Sequence, residues 1–458
     1  MNFAFYDLET TGITPAFDHP MQFAAILTDA EFNEIERVNL RCRLAPHIIP
    51  SPQALAVTGL RPAQLLDENL PNFFEFTQSL AELVKRWSPV IWTGFNSIRF
   101  DEEMLRQAFY QNLQPDIFAT QFNGNTRFDI MTAVYAVWCC RPDLFEWPVD
   151  EAGKVRFKLD RLAPLNGFEG HNAHDALGDV EATIHIARKI AELDPDLWKE
   201  LLSSRNKGLV QSLLESFKPL ELVGRFGGGP PQITIGCLCG YSSSNPNQAF
   251  FFDLDAADPS ELITADEEML AARLEETPRI IRSVSINKSP ALLTAHAATE
   301  EQTRRASILA DAPQFRERLA QVMAARYPQV SDATLLPVEK RIFGGFYNWS
   351  DKALLNEFQG ADWRHRQEIV SSFEDARLRQ LGHRLVAFYA TGLLSEGERL
   401  KYKNWLQERW NAPDQPETEW MTLNKARNAL DELRAGASHD AAMLDEIERF
   451  LADRMGAR

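Results

Sequence analysis

The chain has 458 residues, enough for two or three domains with a proper core. Hydrophobic residues make up 45% and charged residues 25%, an ordinary globular composition, and no apolar run approaches the roughly 18–20 residues of a membrane span. A formal net charge of −17 argues against coating nucleic acid by bulk electrostatics, while leaving room for a strand held in a local basic groove.

Asn2-Phe3-Ala4-Phe5-Tyr6-Asp7-Leu8-Glu9-Thr10-Thr11-Gly12 reads as an apolar strand that runs into two acids and a turn. Side chains at i and i+2 share a face of a strand, so Asp7 and Glu9 project together while Leu8 points into the core. Two adjacent carboxylates repel, and a cation between them reverses that balance. The same acids interrupt the one segment that could pass for a signal sequence, so a cytoplasmic protein is expected. The five cysteines (Cys42, Cys139, Cys140, Cys237 and Cys239) are odd in number and poorly spaced for a metal, and read as free thiols in a reducing compartment.

Residues 22–28 and 35–43 continue as strands, forming a meander with the first. A proline-rich loop leads to a short helix that Gly59 should stop, and residues 72–87 carry apolar side chains at helical spacing. Residues 90–93 form a short buried strand ending at Gly94, and Asp101 stands where the next helix begins. A further helix is predicted from about residue 175 to 191. His174 and Asp179 are five residues apart, about 140° on a helix, so they converge only if His174 precedes the helix. Beyond residue 200, residues 232–239, 249–254 and 279–286 read as strands. The window 302–345 is locally basic, with Arg304, Arg305, Arg316, Arg318, Arg326, Lys340 and Arg341, and Phe343, Phe346, Tyr347 and Trp349 lie in or beside it. That window is expected to hold part of the track for a nucleic-acid strand. Helices are predicted over 363–389, 396–410, 418–433 and 440–452.

Asp7, Glu9, Asp101 and Asp179, with His174, thus give four acids and one imidazole in a fixed order. Four clustered carboxylates repel as bare neighbours, and two divalent ions would neutralise them, hard oxygens suiting Mg²⁺ or Mn²⁺. Two such ions about 4 Å apart serve in-line displacement at phosphorus, and an imidazole can take the proton from the attacking water. The chemistry that follows is metal-dependent phosphodiester hydrolysis.

Asp7-Leu8-Glu9-Thr10-Thr11-Gly12, Asn96-Ser97-Ile98-Arg99-Phe100-Asp101 and His174-Asp175-Ala176-Leu177-Gly178-Asp179 resemble the three motifs of the DEDDh 3′–5′ exonucleases. Residues 15–26, Asn206-Lys207, Val284-Ser285-Ile286-Asn287-Lys288-Ser289-Pro290 and Gly345-Phe346-Tyr347 extend the likeness to a multidomain bacterial branch of that family. The resemblance implies an α/β architecture: an RNase H-like nuclease domain (1–195), an SH3-like β-containing domain (196–348) and a C-terminal helical domain (349–458). It implies processive 3′→5′ hydrolysis of single-stranded DNA in repair and recombination, by a monomer with no membrane association. By motif position Asp7, Glu9, Asp101 and Asp179 would bind two Mg²⁺ ions (Mn²⁺ substituting) and His174 would be the general base; His171 lies outside the motif. The implied partners are single-stranded DNA and the C-terminal tail of single-stranded DNA-binding protein. Leu8 is a local departure, standing where an aromatic is expected. The rival readings are a family member acting on RNA 3′ ends, which is typically a single domain, and a non-catalytic scaffold, which would usually have lost a ligand.

Overall fold

In the computed structural model, residues 1–169, 175–326, 335–436 and 440–456 are described. The N-terminal region is built on a mixed sheet of β1 (Phe3–Thr10), β2 (Pro20–Thr28), β3 (Glu34–Arg41), β4 (Ile91–Gly94) and β5 (Thr126–Asp129). The strand order is β3-β2-β1-β4-β5, with β1 antiparallel to β2 and parallel to β4. The alternation of β1 sets the whole layer. Ala4, Tyr6 and Leu8 enter one core, and Phe3 and Phe5 enter the other, so the strand is buried on both faces. Asp7 and Glu9 continue the Phe3–Phe5 face beyond the point where apolar packing ends.

Around this sheet lie α1 (Pro52–Thr58), α2 (Pro62–Leu65), α3 (Phe73–Trp87), α4 (Asp101–Gln111), α5 (Ile130–Cys140), α6 (Leu159–Leu165) and α7 (Ala176–Leu193). Gly59 closes α1 at φ 71°, a left-handed conformation that glycine adopts without steric cost. Asn72 caps α3 by accepting from the Glu75 amide. Ala176, Val180, Ala182 and Ala187 of α7 pack on the Phe3–Phe5 side, which brings that helix against the acidic end of β1. After α8 (Pro195–Ser203) and α9 (Lys207–Leu214) the chain enters a second, antiparallel sheet.

That sheet comprises β6 (Leu220–Gly224), β7 (Gln232–Tyr241), β8 (Gln248–Asp253), β9 (Ile281–Ser285) and β10 (Leu292–Thr294), in the order β10-β6-β7-β8-β9. Phe250 and Phe252 face a core with α10 (Glu267–Glu275), α11 (Glu300–Ala310) and α12 (Pro313–Ala325), while Ala249 and Phe251 face the α9 side. The seven cations of the 302–345 window fall largely on α11 and α12. Their contacts are internal: Arg304 pairs with Glu301 and Asp258, Arg316 and Arg318 donate to backbone carbonyls of Leu309 and Ile263, and Lys340 pairs with Glu419.

The C-terminal region is helical, with α13 (Trp349–Gly360), α14 (Trp363–Ser372), α15 (Ala376–Tyr389), α16 (Glu396–Trp410), α17 (Leu423–Ala435) and α18 (Ala441–Gly456). The helix predicted over 363–389 is two helices. The amides of Glu374 and Asp375 donate to the buried Asp351 carboxylate, and Asp375 then caps α15. The helix predicted from 418 begins at Leu423, because Thr422 caps it by accepting from the Lys425 amide. Leu423, Leu430, Leu444, Ile447 and Leu451 belong to the same core as Tyr6, Phe23 and Leu80, and Phe74 and Tyr110 join the core of α13–α15. The helical region is therefore packed into the N-terminal layer. Among the described residues no helix is long and apolar enough to cross a membrane, and all five cysteines are free thiols.

Candidate metal centre and nucleic-acid groove

Asp7 and Glu9 leave the end of β1 on one face, and α7 delivers Asp179 opposite them. Carboxylate oxygens of Asp7, Glu9 and Asp179 all lie within 4.8 Å of one another. Asp101, the first residue of α4, stands beside this trio, and its Oδ1 accepts the Leu8 amide at 3.1 Å. Leu8 itself is buried in the core, turned away from the acids as its place in the strand predicts. The fold thus brings together the four expected acids. His174 and His171 lie outside the described residues. The start of α7 at Ala176, with Asp175 as its cap residue, puts His174 before the helix in sequence, as convergence with Asp179 requires.

Burial pushes Glu9 up to about 8, with Asp179, Asp101 and Asp175 adding to the rise. Asp7 is raised well above the usual carboxylate range by burial and then by Asp101, Glu9 and Asp179. Burial also raises Asp101 to about 8, against the pull of its backbone hydrogen bonds. The charges acting on Asp7 and Glu9 are thus those of other acids. This hard-oxygen donor set fits divalent ions, whose charge would remove the repulsion.

The turn after β1 is fixed by Asp18. Its carboxylate accepts from the Thr11 hydroxyl at 2.9 Å and the Thr14 amide at 2.9 Å. A Cβ at Gly12 would sit 2.5 Å from that carboxylate, so the glycine is needed for a close approach. A hollow of about 630 Å³ opens there between Glu9, Thr10, Ile13, Val57 and, from the helical region, Trp420 and Met421. Ile13 is 84% exposed at its mouth.

Asp129 carries a role beyond starting a helix. It ends β5, is buried, and accepts from the amides of Asn96 (2.9 Å), Ile98 (3.1 Å) and Met131 (3.0 Å). Two of these belong to the loop that delivers Asp101. Burial raises Asp129 to about 6, and the amides pull against it. The signal available in the sequence was an acid at a strand-to-helix junction, which reads first as a cap.

A groove of about 690 Å³ is lined by all three regions: Phe122 and Arg127, then Arg205, Lys207, Asn287, Phe343 and Phe346, then Lys352. Phe346 is 99% and Phe343 68% exposed. Trp349, also exposed, has Lys352 Nζ 5.1 Å from its ring centroid. None of the seven cations of the 302–345 window lines this groove. That part of the expectation is corrected: Phe343 and Phe346 reach the groove, whereas the cations are engaged elsewhere, Lys340 with Glu419 of the helical region and the arginines with partners of the β-containing region.

Residues 4–187 match the family described as Exonuclease, and residues 336–454 match that of the Exonuclease I C-terminal domain. Exodeoxyribonuclease I of Escherichia coli (strain K12) is 31% identical over 432 residues, 89% of each chain. That of Haemophilus influenzae is 31% identical over 435 residues, 89% of this chain and 90% of the relative. Among solved structures, an Exonuclease I from Methylocaldum szegediense superposes with a TM-score of 0.85 at 28% identity. E. coli Exonuclease I in complex with a dT13 oligonucleotide gives 0.83 at 28%, as does an SSB/Exonuclease I structure in complex with an inhibitor. Each of these structures covers 99% of both chains.

Proposed function

The chain belongs to the exodeoxyribonuclease I family, and from that premise we propose that it removes mononucleotides processively from the 3′ end of single-stranded DNA. The observation that carries this reading is the cluster of Asp7, Glu9 and Asp179 beside Asp101, in a chain whose three regions line one open groove. Asp7, Glu9, Asp101 and Asp179 are assigned as ligands of two divalent ions, Mg²⁺ with Mn²⁺ able to replace it. Bound ions would polarise the scissile phosphate and lower the pKa of the attacking water. His174 is assigned as the base that takes that water's proton.

The hollow beside Glu9 suits a terminal nucleotide, with exposed Ile13 placed to lie against a base. Upstream, Phe122, Phe343 and Phe346 offer rings on which successive bases stack, and Arg205, Lys207 and Lys352 supply positive charge. Neither kind of contact reads sequence, so a strand can slide along them.

The domain assignment follows the same reading: RNase H-like 1–195, SH3-like 196–348 and helical 349–458, in a monomeric, cytoplasmic enzyme of repair and recombination. The C-terminal tail of single-stranded DNA-binding protein is assigned as partner, supported by the SSB/Exonuclease I structure among the relatives. An acidic, carboxylate-ended peptide of this kind should bind more weakly as salt rises. The testing experiment offers 3′-labelled DNA and RNA oligonucleotides, single- and double-stranded, with Mg²⁺ or with chelator. Mononucleotide release confined to single-stranded DNA with Mg²⁺ supports the reading. Preference for RNA ends, or no cleavage, overturns it.

A further inference from the structure

The turn after β9 reaches from the β region to the helix that carries Asp101. Arg127, at the start of β5, is 6% exposed and its Nη2 donates to the Asn287 carbonyl at 2.8 Å. Its Nη1 is buried 3.6 Å from Glu102 Oε1 without a hydrogen-bond partner among the described residues. Glu102, 3% exposed, follows Asp101 directly; its carboxylate also takes the hydroxyls of Tyr6 (3.1 Å) and Thr120. Tyr6 in turn precedes Asp7. The next residues repeat the pattern, since Lys288 Nζ lies 3.2 Å from Glu103 Oε1. Ser289, at φ 47°, fixes the turn to the end of α8 through the Ser204 hydroxyl at 2.9 Å.

We propose that Arg127 is a positioning residue through which the Asn287–Ser289 turn holds the first turn of α4, and with it Asp101, so that the β region takes part in hydrolysis itself. This rests on the assignment of Asp101 to the metal centre. A buried carboxylate and guanidinium that face each other tolerate loss of neither partner, because the survivor is left uncompensated. Removing Arg127 leaves the Glu102 charge buried with only the hydroxyls of Tyr6 and Thr120 and the Gln121 amide against it, and Glu102 is the second residue of α4, directly after Asp101. The Asn287 turn also lines the groove, so a strand lying there rests against the element that sets Asp101.

The test uses full-length protein and the variants Arg127→Met, Arg127→Lys, Lys288→Met and Asp7→Asn. Three quantities are read: kcat and KM on a single-stranded oligonucleotide, strand affinity in chelator, and hydrogen exchange of the 3–10 segment without metal. Arg127→Met is expected to lower kcat about 10–100-fold, the scale of a misplacement of about 1 Å, with KM and strand affinity within about threefold. Exchange at the Leu8 amide, which bonds Asp101, should quicken in the metal-free protein. Arg127→Lys should recover part of kcat, because an ammonium reaches Glu102 or the Asn287 carbonyl but lacks the fork that spans both. Lys288→Met, at a half-exposed site, should give a smaller kcat loss in the same direction, and it decides the matter if Arg127→Met does not fold. Unchanged kcat and exchange, or a loss confined to strand affinity, would overturn the proposal. An inactive Asp7→Asn beside a normal Arg127→Met sinks this inference alone, whereas an active Asp7→Asn removes the metal assignment beneath it.

Discussion

The backbone amide of Leu8 donates to the carboxylate of Asp101 over 3.1 Å, so the residue between Asp7 and Glu9 anchors the third acid of the cluster. Strand β1 thereby supplies two acids directly and fixes another that lies 93 positions further along the chain. One strand therefore fixes the relative positions of Asp7, Glu9 and Asp101.

Repulsion of that kind makes metal binding pH-dependent. Glu9 and Asp101 titrate at about 8 in the folded, metal-free protein. In an unfolded chain such groups titrate near 4. Their contribution to stability is full below the unfolded value and is lost as pH rises through about 8. Divalent ions remove the repulsion, so the rise in Tm on adding Mg²⁺ should be larger near pH 8 than near pH 5.5. Calorimetry at the two pH values checks this, and a Tm increment that shrinks with pH would contradict it.

Substitution of His174 should act on turnover. His174→Ala is expected to lower kcat by roughly 10²–10⁴-fold, the range for a lost general base. The acidic limb of the pH–rate profile should flatten, because only the neutral imidazole accepts a proton. An unchanged acidic limb would assign the proton to another acceptor.

The groove takes the aromatics around Phe346 and none of the seven cations of the 302–345 window. Phe346→Ala should weaken single-strand binding roughly 5- to 100-fold, the scale of one lost base stack. Arg304→Gln should leave affinity within about twofold, since surface pairs such as those with Glu301 and Asp258 contribute little and the residue is away from the groove. Fluorescence anisotropy in chelator distinguishes them, and the reverse ranking would restore the basic window as the strand track.

The three acidic motifs were legible because strand periodicity pairs Asp7 with Glu9, while Asp101, which alone reads as a helix cap, and Asp179 were joined to them by the order of the motifs and the resemblance to the DEDDh exonucleases. The limits of β2, β3 and α3 were legible for the same local reason. What was not legible depended on partners distant in sequence. The break between α14 and α15 arises because Asp351 accepts the amides of Glu374 and Asp375, 23 and 24 positions later. The arginines of α11 and α12 read as a strand track in one dimension, and only the fold shows their carbonyl and carboxylate partners. Asp129 and Arg127 were equally hidden, since their roles lie in amides and carbonyls of loops that local pattern leaves unassigned.

Shared cores also set a limit on dissection. Leu423, Leu444 and Ile447 pack with Tyr6 and Phe23, and Val223 and Leu293 pack with Phe3 and Phe5. A chain ending near residue 195 would bare those surfaces to water, and is expected to aggregate or to melt without a cooperative transition. A sharp melt by circular dichroism, with a monomeric sedimentation profile, would show that the nuclease layer stands alone.

The most direct test compares wild-type protein with Asp7→Asn on a single-stranded DNA oligonucleotide labelled at its 5′ end, in Mg²⁺. The account predicts that wild type shortens the labelled strand progressively from the 3′ end, that chelator stops it, and that Asp7→Asn binds the strand with near-normal affinity yet leaves it intact. Shortening by Asp7→Asn at the wild-type rate would contradict the carboxylate cluster as the seat of hydrolysis.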